Sequence, residues 1–202
     1  LGINYFISQY YGSSTLGVFN QVLSIYIVLS VFGSGGINYS LVRAISEHKK
    51  NNKIINSIIK GSLIPGIILS FLLTLIFSIS IKYLERLLGS EDVGLGLKFI
   101  IPGVFFFSIN KILLLGVLNG LRRMKSFAFY QSLRYILILT GLFIGLIIKI
   151  KGECITFIFS FAESILFIIL ITDISTKIKW WLGENYLYWT KIHLSFGIKC
   201  FW

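Results

Sequence analysis

The sequence predicts an all-α, polytopic bundle of transmembrane helices. Apolar runs near the length of about 20 residues that a membrane span requires recur along the chain. Of its 202 residues, 55% are hydrophobic and only 13% charged, with a mean hydropathy of +0.84. Lys and Arg concentrate in short loops at alternate ends of those runs. Together these read as an integral membrane protein rather than a soluble globule. The runs are too long and too many for one signal peptide. A net charge of +11 in a soluble protein would point to nucleic acid. Here the cations act as topology signals, and no nucleic-acid partner is expected.

Residues 1–11 are apolar and aromatic but too short to span, and read as the tail of a first helix. Residues 12–17, Gly-Ser-Ser-Thr-Leu-Gly, read as a turn. The second helix covers residues 16–47 and is unusually long, with a bend expected at Gly33, Gly35 and Gly36. A polar loop, 48–56, carries Lys49, Lys50 and Lys53. The third span is 58–81, kinked by Pro65. Loop 82–96 sets Glu85, Glu91 and Asp92 against Lys82 and Arg86. The fourth span is 97–119, followed by a short loop with Arg122, Arg123 and Lys125. The fifth is 127–148, a tight turn takes 149–153, and the sixth is 154–172. Residues 173–191 form a polar loop rich in Trp and Tyr, suited to the membrane interface, and a seventh helix starts from Ile192. The chain starts without Met inside an apolar helix and stops as a new segment begins, which reads as a piece of a longer protein.

Alternate loops differ in cations. Lys49, Lys50, Lys53, then Arg122, Arg123, Lys125, then Lys177, Lys179 and Lys191 form the richer set. The poorer set is Lys82 and Arg86 among acids, and Lys149 with Lys151. The richer set is assigned to the cytoplasm, which puts the N-terminus there too.

The stretch that organises the chain is the glycine-rich end of the second helix. Gly36, Ser40, Arg43 and Glu47 recur at spacings of four, three and four and share one helix face. Such a stripe must turn from lipid toward a bundle interior or a water-filled cavity, because a charge in hydrocarbon costs several kcal/mol. Lys111 sits deep in the fourth span, where a Lys costs about 2.5–3.5 kcal/mol on the insertion scale. With Ser108, Leu115, Asn119 and Arg122 it makes a polar stripe expected to line a cavity. Glu163, mid-way through the sixth span, shares a face with Thr156 and Ser160. At a similar depth to Lys111, it is expected to face the same lumen, to pair with Lys111 or to carry a coupling proton. Arg43 and Arg134 are placed near cytoplasmic helix ends, where the plain reading is a snorkelling anchor. Arg43 is the stronger binding candidate because its Gly- and Ser-bearing face admits a ligand. Lys60 reads as an anchor. Gly141 and Gly145 form a small-xxx-small pair for close helix packing. His48 and His193 read as isolated loop residues without a ligand role.

Cys154 and Cys200 fall on opposite faces of the predicted topology, so no disulfide is expected between them. The sequence holds no His-Glu-x-x-His, no Walker-type glycine loop and no nucleophile elbow. No catalytic residue, metal ligand or cofactor is assigned.

Gly12, then Gly17-Val-Phe, then the long helix ending Gly36-Ile-Asn-Tyr-Ser-Leu-Val-Arg43-Ala-Ile-Ser-Glu47 resembles the polysaccharide and O-antigen flippases of the multidrug/oligosaccharidyl-lipid/polysaccharide exporter superfamily. The short loop Leu118-Asn-Gly-Leu-Arg-Arg-Met124 is similar to that family's inner loop. The resemblance is sharpest over 12–50 and continues as hydropathy to about 176. It implies a fold of about twelve helices in two six-helix lobes. Residues 1–176 would be the N-terminal lobe, incomplete at both ends. Residues 177–202 would be a cytoplasmic or interfacial linker and the start of the seventh helix. The implied activity is movement of an undecaprenyl-diphosphate-linked oligosaccharide from the inner to the outer leaflet of the bacterial inner membrane, by alternating access of the two lobes. It serves O-antigen, lipopolysaccharide or capsule synthesis, with membrane lipids and glycan polymerase machinery as further partners. By position Arg43 matches the family's Arg of helix two; Lys111 and Glu163 match no motif. The family's seventh helix opens Phe-Gly-aliphatic-Pro, whereas Phe196-Gly-Ile is followed here by Lys199.

Three other readings stand beside this one. A multidrug exporter of the same superfamily would favour acidic lumen residues, and the intramembrane charges here are mainly basic. A membrane glycan polymerase or ligase would need a large outer loop, and neither 82–96 nor 149–153 is large. A non-functional truncated remnant would explain both ends.

Overall fold

A computed structural model describes residues 2–49 and 51–200. Leu1, Lys50, Phe201 and Trp202, which enter the readings above, lie outside the described residues. The described residues form eight α-helices in order: α1 (Gly2–Ser34), α2 (Ile37–Glu47), α3 (Asn52–Leu88), α4 (Glu91–Phe99), α5 (Ile101–Lys111), α6 (Met124–Ile147), α7 (Phe157–Lys177) and α8 (Tyr186–Cys200). A π-helical stretch, Ile112–Leu118, continues α5, and short 3-10 turns occupy Gly152–Cys154 and Trp180–Leu182. There is no strand among the described residues. Among the described residues, five segments are long and apolar enough to cross a bilayer: Gly2–Ser34, Asn52–Leu88, Ile101–Leu118, Met124–Ile147 and Gly152–Lys177. The protein is therefore a membrane-embedded all-α bundle.

Local chemistry explains the joints. The expected turn at 12–17 shrinks to one residue. Gly12, at φ 89°, kinks α1, and helix resumes at once. The bend expected at Gly33–Gly36 is a complete break, since Gly35 (φ 54°) and Gly36 (φ 68°) take left-handed conformations that glycine adopts without strain. The break leaves the Gly33 carbonyl without a helical partner, and the Ser70 hydroxyl of α3 donates to it at 3.2 Å.

The loop expected at 82–96 is mostly helix, because α3 runs to Leu88 and Ser90 caps α4 by accepting from the Val93 amide. The fourth span is broken between α4 and α5, where Pro102 lies in the first turn of α5. Ser160 of α7 enters the gap. Its hydroxyl donates to the Phe99 carbonyl at 2.6 Å and accepts from the Gly103 amide at 2.9 Å. Thr156, one turn earlier, donates to the Gly96 carbonyl at 3.0 Å.

Pro65 explains where α8 docks. A proline inside a helix frees the carbonyl four residues before it. Here that is Gly61, and the Thr190 hydroxyl of α8 donates to it at 3.0 Å. Gly61 also makes room, since a Cβ there would lie 2.6 Å from that of Trp189.

The apolar core falls into two clusters. One joins Ile37, Leu41 and Ile58 to Ile112–Leu118, Leu166 and Leu170. The other joins Phe19, Val22, Tyr26 and Phe77 to Leu97, Val104, Leu142 and Phe159. Burial on this scale is what holds the helices in register once they are in lipid, through close packing rather than water exclusion.

Candidate functional site

Between the two clusters lies a layer of buried polar groups. Each long helix contributes to it: Ser30 and Ser34, Ser70, Ser108 and Asn110, Arg134, and Ser160 and Glu163, while Ser57 and Ser62 of α3 are buried within the first cluster. Arg134 is ten residues into α6, about 15 Å along its axis, or half of a hydrocarbon core about 30 Å thick. Charge at that depth is retained only if it is paired or faces water.

The pairing is specific. Arg134 Nε lies 2.6 Å from Glu163 Oε1, an ionic contact too poorly aligned to count as a hydrogen bond. Arg134 Nη2 reaches Glu163 Oε2 at 3.4 Å, and Nη1 donates to Gln131 Oε1 at 3.0 Å. Asn110 Nδ2 donates to Glu163 Oε2 at 2.7 Å and to the Glu163 carbonyl at 3.0 Å. The guanidinium carbon sits 4.5 Å from the centre of the Phe107 ring. Phe107 stacks on Tyr26, Tyr26 on Phe159, and Phe159 on Phe19. Glu163 is thus held by a cation and an amide, and its cation is held in turn by an aromatic face.

This corrects the expected Lys111–Glu163 pair. Glu163 is satisfied by Arg134 and Asn110, and Arg134 is a buried partner rather than a cytoplasmic anchor. Thr156, Ser160 and Glu163 do share a face, but it is pressed against α4 and α5 instead of a lumen. Lys111, the last residue of α5, is half-buried. It has no carboxylate within ion-pair distance among the described residues, and lies near enough to Arg134 to feel its charge. The layer therefore holds Lys111 and Arg134 against the single carboxylate of Glu163.

The stripe drawn through Ser108, Lys111, Asn119 and Arg122 does not survive as one face. The π-helical stretch Ile112–Leu118 closes i→i+5 bonds and rotates the residues after it against those before it. Ser108 is buried, donates to the Val104 carbonyl at 2.8 Å, and fills the space beside Gly33. Asn119 instead lines an opening of about 500 Å³ with Ser46 and Arg122.

The face of α2 carrying Gly36, Ser40, Arg43 and Glu47 divides likewise. α8 covers its first half: a Cβ on Gly36 would lie 3.2 Å from Gly197 Cα, and Ser40 Oγ lies 2.8 Å from His193 Nδ1. The other ring nitrogen of His193 faces the Ile58 carbonyl at 3.3 Å. One neutral tautomer satisfies both contacts, with Nε2–H donating to Ile58 and Nδ1 accepting from Ser40. His193 is accordingly a fully buried bridge between α2, α3 and α8 and not an isolated loop residue. The second half of the face remains open, and there Arg43 pairs with Glu47 at 2.9 Å.

The two ends of the bundle gather different side chains. One gathers Lys53, Arg122, Arg123, Lys177 and Lys179 around openings that join α2, α3, the α5–α6 connection and the segment after α7. The other brings Thr15, Asp92, Gly152 and Glu153 together, and there Lys98 lies 3.9 Å from Glu85. Cys154 and Cys200 are both free. No group of three or more metal-ligating side chains occurs among the described residues.

Sequence reasoning passed over Asn110, Phe107, His193 and the role of Arg134. For Arg134 the expected span start at 127 hid its depth, because α6 begins three residues earlier, at Met124, and carries it toward mid-membrane.

No curated protein and no solved structure matches the chain. A family model described as "polysaccharide biosynthesis protein" matches residues 5–197.

Proposed function

The chain belongs to the polysaccharide biosynthesis protein family, which ties it to the synthesis or export of polysaccharide, and from that premise we propose that it carries a lipid-linked oligosaccharide across the membrane. The cargo's anionic diphosphate moves from the inner to the outer leaflet of the bacterial inner membrane, supplying a surface glycan such as O-antigen or capsule. The basic end of the bundle faces the cytoplasm. The protein acts as a transporter rather than an enzyme, with alternating access about the polar layer.

The observation that carries this reading is Lys111. It stands in the middle of a membrane span as a half-buried cation without a carboxylate among the described residues, beside an ion pair that neutralises itself. A diphosphate entering hydrocarbon loses hydration, and a cation already placed at that depth offsets the loss. The glycine break at Gly35–Gly36 supplies a joint, and Gly33 just before it packs beside Ser108, three residues from Lys111. Arg43, open at the basic end, is suited to meet the diphosphate first.

The test is glycan export in cells that depend on this chain. Lys111→Gln is expected to lower export at least tenfold, the loss of one charge-assisted contact of about 1.5–3 kcal/mol. Lys111→Arg keeps most of it. Full export by Lys111→Gln, at equal protein level, would refute the assignment.

A further inference from the structure

A second cationic site lies at the basic end, away from the polar layer. Arg123, Lys177 and Lys179 converge on a cleft of about 410 Å³ whose other walls include Asn52 and Asn56 of α3 and the apolar Leu182. Three separate elements bring them together. The α5–α6 connection closes with bonds from the Arg122 amide to Asn119 and from the Arg123 amide to Leu118. With Arg122 at φ 56°, the turn sends Arg122 to the Asn119 opening and Arg123 to this cleft. α3 starts at the cleft wall, its first turn capped by Asn51. The segment after α7 is fixed by its 3-10 turn and by Trp180 Nε1 donating to Ser175 Oγ at 3.1 Å. Asp173 is paired with Lys177, and neither Arg123 nor Lys179 has a carboxylate within ion-pair distance among the described residues.

Two cations without a carboxylate partner among the described residues stand beside a third paired with Asp173. With the side-chain amides of Asn52 and Asn56 and apolar side chains in the same lining, they match a phosphate that carries a hydrocarbon tail. Trp180 and Trp181 lie in sequence between the lining residues Lys179 and Leu182, and tryptophans of this kind favour membrane-interface depth. Basic pockets between membrane helices at that depth bind anionic head groups, and the arginine fork suits a phosphate. We propose that this cleft holds the phosphate head group of an anionic bilayer phospholipid. The lipid ties the segment after α7, and so the entry to α8, to the start of α3. The site does not depend on the transport reading, because it shares no residue with the polar layer.

Native mass spectrometry of the full chain in detergent tests it, with phosphatidylglycerol, phosphatidylcholine and inorganic pyrophosphate as separate probes. Phosphatidylglycerol is expected to be retained over phosphatidylcholine, and Arg123→Gln and Lys179→Gln each to weaken that retention about fivefold. Lys151→Gln, at the opposite end, leaves it unchanged. These are surface substitutions, and an unchanged melting profile confirms the fold. Pyrophosphate binding without any preference for phosphatidylglycerol would assign the cleft to a soluble phosphate and overturn the lipid proposal. Equal lipid retention by wild type and both cleft variants, or an equal loss in Lys151→Gln, would overturn the cleft itself.

Discussion

Two Arg–Glu pairs in this molecule use the same chemistry and hold opposite positions. Arg43 and Glu47 are 2.9 Å apart on successive turns of α2, with side chains 71% and 53% exposed. Arg134 and Glu163 are 2.6 Å apart on different helices, with side chains 11% and 2% exposed. The first pair exists because helical geometry makes i and i+4 neighbours, and it is worth only about 0.3–0.5 kcal/mol. The second exists because neither charge can remain in the middle of a membrane alone. Its net contribution against a well-packed apolar pair is small, but the removal of one partner strands the other. An intrahelical pair can be read from spacing. An interhelical pair declares itself only by the cost of leaving it unmade.

The largest expected effect breaks the buried pair. Glu163→Ala removes the carboxylate that neutralises Arg134, leaving it with Gln131 and the Phe107 face, while Asn110 keeps its bond to the residue-163 carbonyl. The stranded charge is expected to destabilise the bundle by about 3–5 kcal/mol, read as lost thermal stability in detergent. Arg134→Met combined with Glu163→Leu is expected to recover most of that loss, because no charge is then stranded. If Glu163→Ala behaved like Glu47→Ala, the contrast between the pairs would collapse.

Much of this was legible beforehand, for identifiable reasons. The spans, the glycine break and the shared face of Thr156, Ser160 and Glu163 all arise from local composition and the 3.6-residue period. The surface that this face meets is a tertiary fact. With its span taken to start at 127, Arg134 reads as lying near a helix end, so depth alone offers Glu163 the wrong cation, Lys111. The π-helical stretch is invisible to a 3.6-residue template, and it separates Asn119 from Ser108. The docking of α8 depends on a carbonyl freed by Pro65 more than a hundred residues away, and so His193 looked like a loop residue.

His193 provides an intermediate case, since it is buried like Glu163 but uncharged. His193→Leu removes two contacts at once, to Ser40 and to the Ile58 carbonyl, and leaves the Ser40 hydroxyl buried and unpaired. A loss of about 1–3 kcal/mol is expected, accompanied by faster amide exchange along α8. Ser40→Ala is expected to lose less, because the histidine keeps its bond to Ile58. A His193 variant as damaging as Glu163→Ala would mean that burial, and not charge, sets the scale.

The smallest effect on stability belongs to Arg43→Gln, and it separates stability from function most cleanly. Its partner Glu47 stays solvated when the arginine is gone, so nothing is stranded. The expected change is within about 0.5 kcal/mol and vanishes in high salt. Export is expected to fall nonetheless if Arg43 meets an anionic diphosphate at the basic end, with Arg43→Lys recovering part of it as a charge without the bidentate fork. Unchanged export in Arg43→Gln would leave the exposed pair as helix surface and concentrate the anion path on Lys111. Unchanged stability with lost export would show that the pair contributing less to the fold lies nearer the cargo, because a solvated arginine can exchange its carboxylate for a phosphate while a buried one cannot let go.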